Sequence, residues 1–148
     1  DRNNFDKLKK YISKTGLTSI DTWCIGVWKE KAEIAFIEGD EQSSRISNIS
    51  DNGGNVKIHV DTIDNISSKD EVTFIKIYFP NGSLEVLMGA EKTITQKKPK
   101  LAVGVGFNRD ALIQIPQYIK KIAPNYKLYL RFNSSMASRL VLYAYAGK

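Results

Sequence analysis

The chain has 148 residues, of which 42% are hydrophobic and 26% charged, and its formal net charge is +6. This length and composition are typical of one globular domain with a buried core. No apolar run approaches the roughly 20 residues that a membrane-spanning helix needs, so we expect no membrane span. The polar first residues are unlike a signal peptide, and the single cysteine, Cys24, cannot form an internal disulfide. We therefore expect a cytoplasmic protein.

The positive charge is concentrated in the second half of the chain. Residues 76–148 contain twelve Lys or Arg residues and three Asp or Glu residues. An excess of this kind favours an anionic partner. The lysines are scattered along the sequence rather than clustered with aromatic residues, however, so we expect a solvated basic face and do not expect nucleic acid as a partner.

The first predicted elements are a helix and a strand. Phe5, Leu8 and Ile12 repeat at helical spacing, Asn3 or Asn4 is a suitable N-cap, and Gly16 is suited to end the helix. Residues 18–28 are rich in β-branched and aromatic residues and predict a strand. Residues 29–66 then predict an antiparallel excursion, with strands at 32–37 and 56–60 and a polar loop at 38–55 that we expect to be partly mobile.

From residue 72 onward, strands and helices alternate. The short apolar runs at 72–79 and 100–106 are typical of strands that are buried in a parallel sheet. Leu84, Leu87, Met88 and Ile94 indicate one helix, and residues 112–122 indicate a second, with Pro116 in its first turn. Residues 126–132 and 140–145 predict a C-terminal antiparallel strand pair. The sequence therefore predicts a single α/β domain over residues 1–148.

Several segments, taken in order, resemble the FkbM-type methyltransferases. In the first part of the chain they are Asn4-Phe5-Asp6-Lys7-Leu8, Asp61-Thr62-Ile63-Asp64, Phe74-Ile75-Lys76 and Leu87-Met88-Gly89-Ala90. In the second part they are Lys98-Pro99-Lys100-Leu101-Ala102, Ile115-Pro116-Gln117-Tyr118-Ile119, Tyr126-Lys127-Leu128-Tyr129-Leu130-Arg131 and Val141-Leu142-Tyr143-Ala144. The resemblance implies an S-adenosylmethionine-dependent enzyme that methylates hydroxyl groups. It also implies a mostly parallel, Rossmann-like sheet whose last strand is reversed.

The resemblance places the first two strands of the family's sheet upstream of residue 1. Those strands carry the Gly-rich turn and the acidic residue that bind the cofactor in such folds. We therefore expect a partial sheet and no cofactor for this chain alone, with S-adenosylmethionine bound only if the N-terminal half is present. The strands at 18–28 and 72–79 would then have open edges. We expect these two strands either to pair directly with each other or to pair with the missing N-terminal segment or with another protein chain, which includes a second copy in a homo-oligomer.

The chain departs from the family where the resemblance implies catalytic carboxylates. Tyr78, Pro80 and Ser83 stand where family members usually carry Asp, Glu and Glu, and Phe107 and Phe132 stand where relatives often carry histidine. None of these side chains can act as a carboxylate or imidazole base. The substitutions favour a pseudoenzyme with a structural or interaction role. The alternative is the C-terminal portion of an active O-methyltransferase that acts on sugar or secondary-metabolite hydroxyls.

The remaining polar candidates each allow a functional and a structural interpretation. Asn81-Gly82-Ser83 opens a predicted helix and is either a residual anion or ligand site or simple turn chemistry. Asp61 and Asp64 are either a polar site or helix caps, and we favour caps. We interpret His59 as a strand residue and Cys24 as a small hydrophobic residue within a strand, and we expect no metal site.

Overall fold

A computed structural model describes residues 1–37, 45–46, 56–79, 82–106, 109–133 and 140–147. The chain divides into two compact units. The first contains residues 1–26 and 32–60, and the second contains residues 27–31 and 61–148. Helices and strands alternate as the sequence predicts, and the mixed α/β class is confirmed.

The first unit begins with helix α1 (Arg2–Thr15). Its N-cap is Asp1, whose Oδ1 accepts a hydrogen bond from the backbone N–H of Asn4 at 2.9 Å, so the prediction of Asn3 or Asn4 as cap was wrong. Gly16 ends the helix at a φ of 67°, a left-handed conformation that costs glycine little. No residue of α1 is buried.

The strand predicted at 18–28 is reduced to β1 (Gly26–Val27). A strand requires a hydrogen-bonded neighbour, and none of the described strands pairs with residues 17–25. Its apolar side chains are accordingly exposed. The predicted direct pairing with the strand at 72–79 is also wrong for the described residues, because the two strands belong to different sheets.

Described strands within residues 29–66 pair antiparallel. Strands β2 (Ala32–Ile37) and β4 (Val56–Asp61) pair antiparallel, with Ile34 opposite Ile58. A short strand, β3 (Arg45–Ile46), pairs with β2 inside the region that we predicted to be loop, and the sheet order is β1-β4-β2-β3. The rest of the loop at 38–55, whose mobility we predicted, lies outside the described residues.

The second unit is built on a sheet with the order β5-β6-β8-β7. Its strands are β5 (Phe74–Ile77), β6 (Lys100–Gly104), β7 (Tyr126–Phe132) and β8 (Leu140–Ala146). Strands β5 and β6 are parallel, and β8 runs antiparallel to both β6 and β7. The parallel pairing and the C-terminal antiparallel pair are therefore confirmed. The predicted burial on both faces holds for most of β6 and is wrong for β5, in which Phe74 and Lys76 are exposed because one side of this strand faces away from the core.

Four helices accompany this sheet: α2 (Ile63–Ile66), α3 (Ser83–Met88), α4 (Glu91–Lys97) and α5 (Arg109–Ile122). The single helix predicted through Leu84 and Ile94 is in fact two, α3 and α4, separated by Gly89 and Ala90. Gly89 packs so closely against the carbonyl group of Trp28 that a Cβ atom there would clash with its oxygen.

Pro116 lies in the interior of α5 and not in the first turn that we predicted, because the helix already begins at Arg109. Proline cannot donate the hydrogen bond that an interior helical residue normally makes to the fourth residue before it. That residue is Leu112, which lies on an exposed part of the helix, where water can reach the carbonyl group.

One face of the β5-β6-β8-β7 sheet packs against the helices. The fully buried side chains of the helices are Leu87, Ile94, Ile115 and Ile119, and they form one cluster with buried sheet residues. The sheet contributes Ile75, Ile77, Leu101, Val103, Leu142 and Ala144. Helices α3 and α5 follow the carboxyl ends of β5 and β6, and it is at this edge that we predicted the site.

Candidate functional site

Those predicted site residues that the structure describes follow or end strands at the carboxyl edge of the second sheet. Tyr78 follows β5 directly, and Phe132 ends β7, which runs in the same direction as β5. Three strand spacings, or about 14 Å, separate these two strands, so the two side chains do not form one compact site. Pro80, Asn81 and Phe107 lie outside the described residues.

Ser83 begins α3 and is only 4% exposed. Its hydroxyl group donates a hydrogen bond to the carbonyl oxygen of Phe79 at 2.9 Å, and the carbonyl oxygen of Gly104 lies 3.5 Å away. The hydroxyl group therefore ties the start of α3 to the chain after β5 and faces the end of β6. It is turned into the protein.

Gly82 is the N-cap position of α3, and it makes no side-chain cap. A Cβ atom at this position would clash with the ring of Phe79 and would lie 3.0 Å from Cζ3 of Trp28. Its carbonyl oxygen accepts a hydrogen bond from the N–H of Val86 at 3.1 Å. Packing and helix initiation thus account for a glycine here, and the anion site at Asn81-Gly82-Ser83 stays a prediction.

Asp64 caps a helix, as we predicted for this pair of aspartates, but the helix is a distant one. Its carboxylate accepts hydrogen bonds from the backbone N–H groups of Lys92 at 3.0 Å and Thr93 at 2.8 Å, and from the Thr93 hydroxyl at 2.7 Å. The Asp64 N–H also donates to the Gly89 carbonyl at 2.9 Å. Asp64 in α2 therefore satisfies the free N–H groups at the start of α4.

Asp61 has a local role beside α2. Its Oδ1 accepts hydrogen bonds from the Asn65 side chain at 2.8 Å and from the Thr62 N–H at 2.7 Å. The bond from Asn65, followed by that from Thr62, holds the pKa of Asp61 below its usual value. Thr62 itself caps α2, since its hydroxyl oxygen accepts from the Asn65 N–H at 3.1 Å. Neither aspartate projects into a cleft as a free base.

Two polar contacts of the second unit could not be read from the sequence. The Lys97 ammonium group donates to the carbonyl oxygens of Ser67, Ser68 and Asp70 at 2.8, 3.3 and 2.7 Å. The Tyr118 hydroxyl donates to Glu91 Oε2 at 2.6 Å, and burial together with this bond raises the pKa of Tyr118. Both contacts join segments that are distant in sequence, and both stabilise the helical layer without forming a catalytic group.

The other candidates show no catalytic arrangement. His59 is an exposed residue of β4 that lies opposite Glu33, as expected for a strand residue. Cys24 is exposed and not in a strand, so its interpretation as a packed hydrophobic residue was wrong. Within the described ranges, no group of three or more His, Cys, Asp or Glu side chains is placed to hold a metal ion. Of the described helices, none has the length and hydrophobicity that crossing a bilayer requires.

Comparison with known proteins confirms the resemblance seen in the motifs. Among solved structures, the chain is similar to methyltransferase FkbM from Methylobacillus flagellatus KT, with a TM-score of 0.77 and 26% sequence identity. The match covers 98% of this chain and 34% of that chain, so this chain spans about a third of the protein it matches. No family model and no curated protein matches the sequence. The chain therefore has a mixed α/β fold that is similar to part of an FkbM methyltransferase.

Proposed function

We propose that this methyltransferase-like domain does not transfer methyl groups and acts as a structural or interaction module. The observation that carries the proposal is the state of Ser83, whose hydroxyl group is buried and donates its proton to a backbone carbonyl oxygen. Ser83, which stands where the resemblance implies a glutamate, thus stabilises the start of α3 instead. The phenol of Tyr78 occupies the second such position at the end of β5.

A methyl transfer to a hydroxyl group needs a base that accepts the hydroxyl proton within about 2.6–3.2 Å. A carboxylate or an imidazole meets that requirement, whereas a serine hydroxyl that donates inward does not. The two aspartates that we considered as a polar site, Asp61 and Asp64, accept hydrogen bonds from a helix start and from the side chains beside them. These contacts support a structural role, because the polar side chains at the predicted site make hydrogen bonds within the protein.

The second candidate is the C-terminal portion of an active O-methyltransferase acting on sugar or secondary-metabolite hydroxyls. It is favoured by the similarity to a protein described as a methyltransferase. In this alternative, S-adenosylmethionine is bound by polypeptide outside these residues, and the base is neither Tyr78 nor Ser83. The two candidates differ in one measurable property, which is turnover of the methyl donor.

The decisive experiment measures both cofactor binding and turnover. Isothermal titration calorimetry of this chain with S-adenosylmethionine is expected to give no binding heat. Because the second candidate places the methyl donor outside these residues, turnover is measured on the intact natural protein. Incubation of that protein with S-adenosylmethionine and a panel of sugar and secondary-metabolite hydroxyl acceptors is expected to release no S-adenosylhomocysteine above the rate without protein. Saturable release that disappears on heat denaturation of the protein would show that the domain is an enzyme.

The open edge of β5 supports an interaction role. Strand β5 ends the sheet order, so it pairs with β6 on one side alone among the described strands. The Thr73 carbonyl accepts from the Lys100 N–H at 2.9 Å and so faces β6. Because backbone groups alternate along a strand, those of Phe74 and Lys76 face the open edge. An unpaired parallel strand is a template for pairing with a further strand.

A proline substitution tests this edge. Lys76→Pro removes the N–H that faces the open side and keeps the bonds between β5 and β6, since proline is tolerated on edge strands. Lys76→Ala is the control that keeps the N–H. If copies of the chain pair through β5, sedimentation velocity will show self-association of the parent and Lys76→Ala and monomeric Lys76→Pro. A monomeric parent, or equal association of all three, would contradict pairing of copies by this edge.

A further inference from the structure

The turn after α2 brings backbone carbonyl groups together at one point. The carbonyl oxygens of Ser67, Ser68 and Asp70 lie 2.8, 3.3 and 2.7 Å from Nζ of Lys97. We call these three carbonyl groups the carbonyl cluster. Carbonyl oxygens accept hydrogen bonds and cannot donate them, so groups that converge in this way need a donor or a cation between them.

The ammonium group of Lys97 matches the carbonyl cluster in number and in charge. A lysine ammonium group has three N–H donors and no acceptor, and the cluster offers it three acceptors. Hydrogen bonds from a charged donor are stronger than those between neutral groups. Among the described residues, no carboxylate forms an ion pair with Lys97. The protein therefore binds this charge through backbone dipoles, in the way that carbonyl oxygens replace water around a monovalent cation.

Hydrogen bonds that do not involve Lys97 hold the carbonyl cluster in place. The Ser67 N–H donates to the Ile63 carbonyl oxygen at 2.9 Å, and the Ser67 hydroxyl group donates to the same oxygen at 2.7 Å. The Asp70 N–H donates to the Ser67 carbonyl oxygen at 3.1 Å. The turn is thus stabilised by α2 and by its own backbone. We expect the three acceptors to stay together when the Lys97 side chain is removed.

Lys97 links two segments that enter adjacent strands of the sheet. It lies in the last turn of α4, which leads into β6, whereas the carbonyl cluster precedes β5. Strands β5 and β6 are parallel neighbours, and the Lys100 N–H donates to the Thr73 carbonyl oxygen at 2.9 Å where they begin. Both sides of the Lys97 contact belong to the second unit, so the contact lies wholly within that unit.

The same contact has a second interpretation, in which the hydrocarbon stem of Lys97 matters and its charge does not. Lysine side chains often lie along apolar surface while the ammonium group stays in water. Lys97 is half-buried, which agrees with either interpretation. The two differ in what a small molecule must carry to replace the side chain, because one requires a charged donor and the other requires only hydrocarbon.

We propose that the carbonyl cluster is a binding site for a primary ammonium ion, which the chain occupies with its own Lys97. The ligand class follows from three convergent acceptors, from an equal number of N–H donors on the ion, and from a turn that is held without the lysine. The site does not include the positions at which the resemblance implies catalytic residues. Its test is therefore independent of the proposed function.

The experiment removes the internal ligand and supplies an external one. Lys97→Ala deletes Cγ, Cδ, Cε and Nζ, which correspond to the heavy atoms of n-propylammonium. Thermal unfolding is followed by Trp28 fluorescence in a Trp23→Phe background, because Trp28 belongs to the second unit. Lys97→Ala is expected to lower the Tm. At about ten times its dissociation constant, n-propylammonium chloride is expected to raise the Tm of this variant by about 4–8 °C.

The controls separate the charged donor from hydrocarbon and from salt. Tetramethylammonium chloride has the same charge without an N–H donor, and 1-propanol has the same stem without charge, so neither is expected to raise the Tm of Lys97→Ala. The parent protein keeps its own ammonium group, and Lys97→Met fills the space of the stem. Neither protein is expected to respond to n-propylammonium. Lys121→Ala removes an exposed lysine of α5 and should behave as the parent does.

The remaining outcomes would overturn the proposal. An equal rise in Tm with 1-propanol would show that the stem is what the site binds, and an equal response of all the proteins would show a general solvent effect. A Tm of Lys97→Ala that n-propylammonium does not raise would also refute the site. If Lys97→Ala is unfolded on its own, recovery of the folded-state fluorescence by n-propylammonium is measured instead, and failure to recover it has the same meaning.

Discussion

Removal of the Asp64 carboxylate should destabilise the second unit, because this carboxylate caps α4 from a distant part of the chain. The carboxylate receives two backbone N–H groups and one hydroxyl group at the start of α4, all within 3.0 Å. Replacement of an N-cap aspartate by alanine costs about 0.5–2 kcal/mol, and hydrogen bonds to a charged group contribute more than neutral ones. We therefore expect Asp64→Ala to lower the free energy of unfolding by about 2 kcal/mol.

Less severe substitutions separate the contributions of the individual hydrogen bonds to this free energy of unfolding. Asp64→Asn keeps one acceptor oxygen for the N–H groups and should cost about 1 kcal/mol. Thr93→Ala removes the hydroxyl that donates to Asp64 at 2.7 Å. A double-mutant cycle of Asp64→Ala with Thr93→Ala should therefore give a coupling energy of about 0.5–1.5 kcal/mol. Asp70→Ala, which deletes an exposed carboxylate of the same unit, should change stability by less than about 0.5 kcal/mol.

The assay must report on the second unit alone. The chain has two tryptophans, and Trp23 is 62% exposed whereas Trp28 packs beside Gly82 and Gly89. In a Trp23→Phe background, the fluorescence of Trp28 follows urea or thermal unfolding of this unit. A loss of about 2 kcal/mol corresponds to a fall in Tm of roughly 8–16 °C for a domain of this size. A change below about 0.5 kcal/mol for Asp64→Ala, or a coupling energy of zero, would refute the assignment of Asp64 as the cap of α4.

Three further predictions concern the same unit. Lys97→Met removes the ammonium group that binds three carbonyl oxygens and should cost about 1–3 kcal/mol in urea unfolding, against no measurable cost for Lys121→Met. Burial raises the pKa of Tyr126 to about 12, so the unionised phenol favours the folded state. This contribution to the free energy of unfolding is complete below about pH 10 and is lost as the pH rises towards 12. Tyr126→Phe should therefore flatten the fall in stability between these two pH values. Pro116→Ala restores an N–H inside α5 and should raise the Tm; an unchanged or lower Tm would show that the helix is adapted to the proline.

Sequence periodicity correctly predicted those strands that pair with another strand over several residues. The alternation at 32–37 and 56–60 and the apolar runs that became β5 and β6 each correspond to a strand in the structure. The same reasoning failed at 18–28, because propensity alone does not supply a hydrogen-bonded neighbour. It also joined α3 and α4 into one helix, since the break at Gly89 depends on close packing against the Trp28 carbonyl, which no local pattern reveals.

The candidate site was predictable in its positions and not in its contacts. The resemblance identified Tyr78 and Ser83 as substituted positions, and the structure shows what Ser83 does instead. That Asp64 caps a helix was expected from its residue type, but the identity of that helix depends on how α2 packs beside α4.

The buried position of Ser83 links the loss of the carboxylates to the fold itself. Its hydroxyl group donates to the Phe79 carbonyl oxygen and lies 3.5 Å from that of Gly104, and carbonyl oxygens accept hydrogen bonds and cannot donate them. A glutamate in the same place would bring a larger, negatively charged side chain to a residue that is 4% exposed and faces these two acceptors, which is unfavourable. The start of α3 is therefore packed for a small donor. The proposed absence of catalysis follows from the packing between β5, β6 and α3 as much as from the identity of one residue.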